Sequence, residues 1–387
     1  MQERTGTAHS ETEGRDYPIT GRIDPQFAPV WDAFRHNFAA GEEQGASVAL
    51  MIGDRPVVDL WGGYRDAAGS QPWQEDTICN AMSVGKAMAA TCLHRLIDRG
   101  IVGLDEPVAR YWPEFAANGK EELRVRWVLD HRSGLPFLTE DLWPGAMYDW
   151  KAMTEALAAQ APLWPPGTQP AYHIRTFGFL VGEIVRRVSG KSFGKYFRDE
   201  FAEPFAIDFR FGLDPREFPR CAEFIARPEA TPADPNSMFA RAGRQWPVPL
   251  DYNSAAFRAA EIPSSNGHGN ARAVARFYSI LANEGRFGAQ QVLSPTSVLI
   301  ARSEQYWAKE AVLGRNNRQA LGFLLNSPQF PIGPGRNSFG QSGMGGAMGM
   351  CDPDRHLAFG YVQNKMHAVS NIGPRVMRLI EAVYRCF

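Results

Sequence analysis

Apolar positions first become periodic between Pro25 and Ala40. Phe27, Val30, Trp31, Phe34 and Phe38 recur at helical spacing and predict an amphipathic helix. Two short apolar runs follow, Val48 to Ile52 and Val57 to Trp61. Gly53-Asp54 between them predicts a hairpin, with the turn type left open by the Gly-Asp order and Pro56. From Ser83 to Arg99 the pattern is again helical. Ala87, Ala90, Cys92, Leu93, Leu96 and Ile97 lie so close together that this helix should be largely buried, and Gly100 ends it. Further helices are predicted over Thr176 to Val188 and Ala271 to Asn283. Strands are expected at Leu321 to Leu325, Ala347 to Cys351 and Leu357 to Val362, the last two joined by the turn Asp352-Pro353-Asp354. A helix from Pro374 to Tyr384 closes the chain. Strands at both ends with helices between them fit a sheet completed by both termini around a helical insertion.

The division expected is a flexible tail over 1–21, an α/β region with an antiparallel sheet from 22–80 and 270–387, and a mostly helical region over 81–269. Met1 to Gly21 is polar with charges of both signs, and it lacks the basic start and apolar run of a signal peptide. No stretch approaches the roughly 20 apolar residues of a membrane span. The 387 residues are 44% hydrophobic and 21% charged, with a formal net charge of −1. This balance suits a large globular core and gives no sign of a nucleic-acid or membrane partner. Cys79, Cys92, Cys221, Cys351 and Cys386 are odd in number and scattered. They read as reduced thiols rather than a disulfide framework or zinc site, and a cytoplasmic location is expected. No H-E-x-x-H occurs and the eight histidines are dispersed, so no metal is expected.

Ser83-Val84-Gly85-Lys86 has the form S-x-x-K. Residues three apart share a helix face, so the lysine amine can approach the serine hydroxyl. Burial there would weaken the lysine's hold on its proton. A second match, Ser192-Phe193-Gly194-Lys195, follows Gly190 and reads better as an N-cap opening an amphipathic surface helix. For Ser83 the residues alone leave two readings open, a nucleophile or an N-cap with Lys86 reaching solvent. Tyr172 follows the rigid segment Trp164-Pro165-Pro166-Gly167 and precedes a helix. A phenol at such a junction, close to an ammonium, is expected to have a lowered pKa and to relay protons.

Taken in order, several segments resemble the serine β-lactamase and penicillin-binding-protein superfamily, and in particular the family VIII carboxylesterases with a class C β-lactamase fold. They are Val57 to Gly63, Ser83-x-x-Lys86, Leu129 to Pro136, Pro166-Gly167-Thr168, Tyr172-His173, Gly267-His268-Gly269 and Gln341-Ser342-Gly343. The resemblance implies an α+β, β-lactamase-like fold, with an antiparallel sheet flanked by helices plus a mostly helical region. It implies a cofactor-free serine esterase hydrolysing small or medium acyl esters through an acyl-enzyme on Ser83. It further implies that Lys86 and Tyr172 act as general base and acid. By the same resemblance the backbone N–H groups of Ser83 and Met344 are expected to form the oxyanion hole, and Gln341, Ser342, Gly343 and His173 to contact substrate. A β-lactamase, a D-amino-acid peptidase or amidase, or an acyltransferase of the same superfamily is the alternative.

The chain departs from the lactam-processing members at two places. Ile174 stands where Y-x-N supplies an amide-binding Asn, and Gln341 stands where K-T-G supplies a Lys. Both changes remove polar recognition of a lactam and favour esters. His131 and His268 suggest a Ser-His-Asp triad, but no G-x-S-x-G elbow accompanies them, and structural roles are expected for both. Trp143, Trp150, Trp164 and Trp246 are candidates for an apolar acyl pocket, with core packing the expected role for any one of them.

Overall fold

A computed structural model describes residues 1–226, 234–243, 250–367 and 372–387. Ten strands form one sheet. In chain order they are β1 (Gln2–Ser10), β2 (Arg15–Ile23), β3 (Gly45–Ile52), β4 (Arg55–Gly63), β5 (Tyr306–Lys309), β6 (Asn316–Gln319), β7 (Leu324–Leu325), β8 (Phe339–Ser342), β9 (Met348–Asp352) and β10 (Leu357–Gln363). Their order across the sheet is β1-β2-β4-β3-β10-β9-β8-β7-β6-β5, and every neighbouring pair is antiparallel. The join between the chain's two ends is β3 against β10.

The central strands are buried on both faces, which explains why they read as unbroken apolar runs. Leu357, Phe359 and Tyr361 of β10, with Val48 and Leu50 of β3 and Met348 and Met350 of β9, face one core. It is shared with α1 (Ala28–Ala39) and α5 (Pro374–Tyr384). On the opposite face, the positions at the centre of the sheet are small: Ala49, Gly349, Ala358 and Gly360. They face α4 (Ala271–Ala282), which packs across β3, β9 and β10. A Cβ on Gly360 would collide with the Ala271 carbonyl, and one on Gly349 with the Tyr278 ring. On this face, α2 (Val84–Asp98) packs against β8 and against α3 (Thr176–Ser189).

The helix expected over Pro25 to Ala40 is a 3-10 turn, Pro25–Phe27, running into α1. The hairpin is β3 and β4, with Gly53 at φ +59° in its turn and an irregularity at Leu50/Met51 opposite Pro56. Of Leu321 to Leu325, only Leu324–Leu325 is a strand. The expected tail over 1–21 is corrected. Gln2–Ser10 and Arg15–Ile23 form a hairpin that continues the sheet beyond β4. Its outer strand is mostly exposed, and β2 contributes Tyr17, Ile19 and Ile23 to the core beside α1. A polar edge strand carries little apolar signal, because its order comes from ladder hydrogen bonds to a neighbour distant in sequence. All five cysteines are free, and four are buried.

Gly360→Ala should destabilise the fold by about 1–3 kcal/mol, because a methyl group has to displace α4 from the sheet. Equilibrium urea unfolding checks this, and an unchanged midpoint would refute the close approach.

Candidate active site

Ser83 stands at the start of α2, and its hydroxyl makes no capping hydrogen bond. The approach to it is tightly held. Cys79–Asn80 pairs with His268–Gly269, and Ala81 N–H donates to the Gly267 carbonyl at 2.8 Å. Asn80 Oδ1 accepts from Met82 N–H at 2.9 Å, and Met82 has φ +50°. A left-handed, unbranched but bulky residue directly before the serine is a strained turn, of the kind that aims a side chain.

Lys86, one helical turn on, is 1% exposed. Its Nζ lies 2.9 Å from Ser83 Oγ and donates to the carbonyls of Ile174 at 2.8 Å and Ser264 at 2.9 Å. It sits over the Tyr172 ring, 4.9 Å from the centroid. Burial, reinforced by the charge of Arg175, pulls its pKa well below that of an ordinary lysine. Gly85 and Gly178 make this packing possible. A Cβ on Gly85 would lie 2.5 Å from the Pro263 carbonyl, and one on Gly178 would lie 2.5 Å from Ser264 N. The Pro263-Ser264 segment is thus clamped between α2 and α3, with the Ser264 carbonyl turned to the lysine.

Tyr172 is buried in the loop before α3, with its hydroxyl hydrogen-bonded to Ser83 and accepting from Gln341 Nε2 at 3.2 Å. The expectation of a lowered phenol pKa is corrected. Burial pushes it up to about 12, against the smaller opposing effects of the Ser83 hydrogen bond and Arg315. Lys86 Nζ faces the ring, 4.9 Å from its centroid, and its hydrogen bonds go to Ser83, Ile174 and Ser264 rather than to the phenol oxygen. Glu310 holds the loop by accepting from the N–H groups of Tyr172 (2.7 Å), Val312 (3.0 Å) and Leu313 (2.6 Å).

His173 requires a second correction, because it is a support rather than a substrate contact. It has no exposed surface. Its Nδ1 lies 2.6 Å from the Ala171 carbonyl, to which it can donate, leaving Nε2, 2.6 Å from Ser133 Oγ, to accept. Burial lowers its pKa to about 4. His131, at φ +64°, packs against the rings of Tyr172 (5.0 Å) and Phe177 (4.8 Å), accepts His173 N–H on Nδ1, and is kept neutral by burial. His268 is buried beside Asn266, with Nδ1 2.7 Å from its carbonyl. The Leu129 to Pro136 segment therefore backs the tyrosine loop. Its His131 and Arg132 carbonyls accept from Ala171 and Gly167.

Gln341 and Ser342 end β8, and Gly343 presses against the residues before Ser83, where a Cβ would strike the Ala81 carbonyl. Met344, 39% exposed, follows in a turn closed by Gly346 N–H donating to Gly343 O at 3.1 Å. No backbone carbonyl among the described residues accepts from Ser83 N–H or Met344 N–H. Phe137, Ala171, Tyr172, Ala242 and Val312 form an apolar cluster beside the tyrosine, lined further by Trp164, Ile174 and Met238. Trp150 packs on Phe179 and donates to Glu183 at 2.8 Å, Trp143 is exposed, and Trp246 lies outside the described residues.

Sequence reasoning missed Ser264 and Glu310, as well as the use of the Ile174 carbonyl. The two carbonyls that hold Lys86 are backbone groups, which any residue could provide, so no side-chain pattern reveals them. The competing S-x-x-K is a cap. Ser192 Oγ accepts from Lys195 N–H at 3.3 Å and donates to Glu261 at 2.7 Å. Its helix, Phe193–Phe197, is only five residues long and mostly buried, not the surface helix expected.

This arrangement joins a serine, a buried lysine and a buried tyrosine where the start of α2, the loop before α3 and the end of β8 meet. The Beta-lactamase family profile matches residues 32–382. The chain is 35% identical to the Esterase/beta-lactamase LipL of Mycobacterium tuberculosis (strain ATCC 25618 / H37Rv), over 95% of its own length and 89% of that protein. A penicillin-binding-protein homolog from Caulobacter crescentus superposes with a TM-score of 0.90 at 38% identity, covering 95% of this chain and 100% of that one. The crystal structure of a family VIII carboxylesterase gives 0.89 at 39% identity, with the same coverage. The chain belongs to the Beta-lactamase family, and it is a serine hydrolase of that superfamily.

Ser192→Ala should lower stability by about 1 kcal/mol through loss of the cap, with hydrolytic activity unchanged. Thermal melts and initial rates check this, and a loss of activity in the folded variant would reinstate Ser192 as a site residue.

Proposed function

We propose that the protein is a carboxylesterase hydrolysing small or medium acyl esters through an acyl-enzyme on Ser83. The observation that carries this is the donor count around Lys86. A neutral amine has two N–H donors and one lone pair. Two carbonyls, of Ile174 and Ser264, take the donors and leave the lone pair for the Ser83 hydroxyl. Burial favours this neutral form at rest, while burial also keeps Tyr172 protonated.

Acylation then proceeds with both groups in the correct state. Lys86 takes the hydroxyl proton as Ser83 Oγ bonds to the acyl carbon. The N–H groups of Ser83 and Met344 receive the negative charge that develops on the carbonyl oxygen. Tyr172 protonates the departing alkoxide as its bond to the acyl carbon breaks, leaving a phenolate near the lysine ammonium. In deacylation the phenolate takes a proton from water as its oxygen attacks the acyl carbon. Collapse expels Ser83 Oγ, which recovers its proton from Lys86, and the free acid departs.

Preference for esters rests on three features. Ile174 offers no side-chain amide, Gln341 already donates to the Tyr172 hydroxyl and the Ser342 carbonyl, and the cluster beside Tyr172 is apolar. The family VIII carboxylesterase neighbour agrees with this reading. The name of the Mycobacterium tuberculosis relative favours lactam hydrolysis as a second reading, which nitrocefin turnover tests. The free, mostly buried thiols suit the cytoplasmic location that the sequence suggests. Among the described residues no helix is long and apolar enough to cross a membrane.

On p-nitrophenyl butyrate, Ser83→Ala should abolish turnover, while Lys86→Ala and Tyr172→Phe should each reduce kcat by about 10²–10⁴-fold. Undiminished turnover by Ser83→Ala would overturn the reading. The pH profile follows from the two shifts. Activity needs neutral Lys86, so it should fall as pH drops through the lysine's depressed pKa. It also needs protonated Tyr172, so that group should impose no alkaline loss until pH nears about 12. A kcat/KM limb rising only at the pH of an ordinary lysine would contradict the assignment.

A further inference from the structure

The turn Gly343-Met344-Gly345-Gly346 follows β8 and lies against Ala81 and Met82, the two residues before Ser83, and its far side is densely anchored. Gly345, at φ +85°, occupies the turn position that favours glycine. Its carbonyl accepts three hydrogen bonds, from Gln363 Nε2 at 2.7 Å, His367 N–H at 3.0 Å and Arg375 Nη2 at 2.8 Å. Arg375, in the first turn of α5, is 1% exposed. The same guanidinium donates to Lys365 O at 3.0 Å, Glu42 O at 2.9 Å and Glu43 Oε2 at 2.7 Å. Glu43 is fully buried, and its other oxygen accepts from the buried Tyr361 hydroxyl.

A buried ion pair is a poor device for stability alone, because apolar residues of similar volume commonly serve as well or better. A planar guanidinium does offer several donors in fixed directions. Here it ties the Gly345 carbonyl to the loop before β3, which holds Glu42 and Glu43, and to Lys365 just after β10. We propose that Arg375, locked by Glu43, is a positioning residue for the oxyanion-hole turn. It acts through the Gly345 carbonyl to fix the direction of Met344 N–H, and it touches neither substrate nor Ser83. The inference rests on the reading of Met344 N–H as an oxyanion donor.

The distinguishing test compares Arg375→Lys and Glu43→Gln with Arg378→Met. Arg378 lies on the same helix, and its guanidinium is directed to Glu42 at 2.9 Å and to Asn37 instead of the turn. Misdirected donors cost transition-state binding, not ground-state binding. For Arg375→Lys and Glu43→Gln, kcat on p-nitrophenyl butyrate should fall roughly 10–100-fold with KM within twofold, as a misplacement of about 1 Å predicts. Inhibition by phenylboronic acid, whose tetrahedral serine adduct places an oxygen in the hole, should weaken by a similar factor. Arg378→Met should keep both values whatever its melting temperature. Should the first two variants fail to fold, Gln363→Met removes a different donor from the same carbonyl and should lower kcat and boronate affinity together. Folded variants with wild-type kcat and boronate affinity overturn the inference, as does a kcat loss without weaker boronate binding. If Ser83→Ala is inactive while these variants are unaffected, only the inference fails. If Ser83→Ala stays active, the esterase reading fails first.

Discussion

The site depends on one desolvated amine. Among the described residues Lys86 has no carboxylate hydrogen-bond partner, only two backbone carbonyls and the Ser83 hydroxyl. An ammonium in that position lacks the counter-charge that buried cations ordinarily require, so the neutral form is favoured. Much of the surrounding architecture serves this constraint. Gly85 and Gly178 let α2 and α3 close on Pro263-Ser264, which turns a carbonyl toward the amine. The loop from Tyr172 to Ile174 supplies the other carbonyl, and Glu310 fixes that loop by three backbone N–H groups.

The same desolvation acts in opposite senses on the two titrating groups. It draws the lysine pKa down and drives the phenol up, so burial favours the uncharged form of both neighbouring groups. His131 and His173 are kept neutral by the same environment, and they form the apolar-faced wall behind the tyrosine.

The large sheet contributes rigidity at two points. Small residues at 49, 349, 358 and 360 draw α4 against its centre. Gly343, just after β8, packs against Ala81 and Met82, so the strand end and the serine turn are in direct contact. The connection between the chain's first and last thirds, β3 against β10, also carries the Glu43–Arg375 pair behind the turn that follows β8.

Local pattern alone determined a good deal. Helices α1, α2, α3, α4 and α5 and the central strands follow from the spacing of apolar residues, because burial imposes periods that the chain displays directly. The S-x-x-K spacing brought Ser83 and Lys86 within reach, since three residues on a helix guarantee a shared face. Tyr172 became legible only through its place in an ordered set of motifs. What the tertiary structure decided are the features without local signature. The hairpin over Gln2–Ile23 is held by a ladder to β4, Ser83 is distinguished from Ser192 by whether its hydroxyl caps its own helix, and His173 is buried against Ser133 and Ala171. The charge states of Lys86 and Tyr172 belong to the same class. Desolvation is set by what packs around a group, and the packing partners, Ile174, Ser264 and Gln341, come from segments far from Ser83 in the chain.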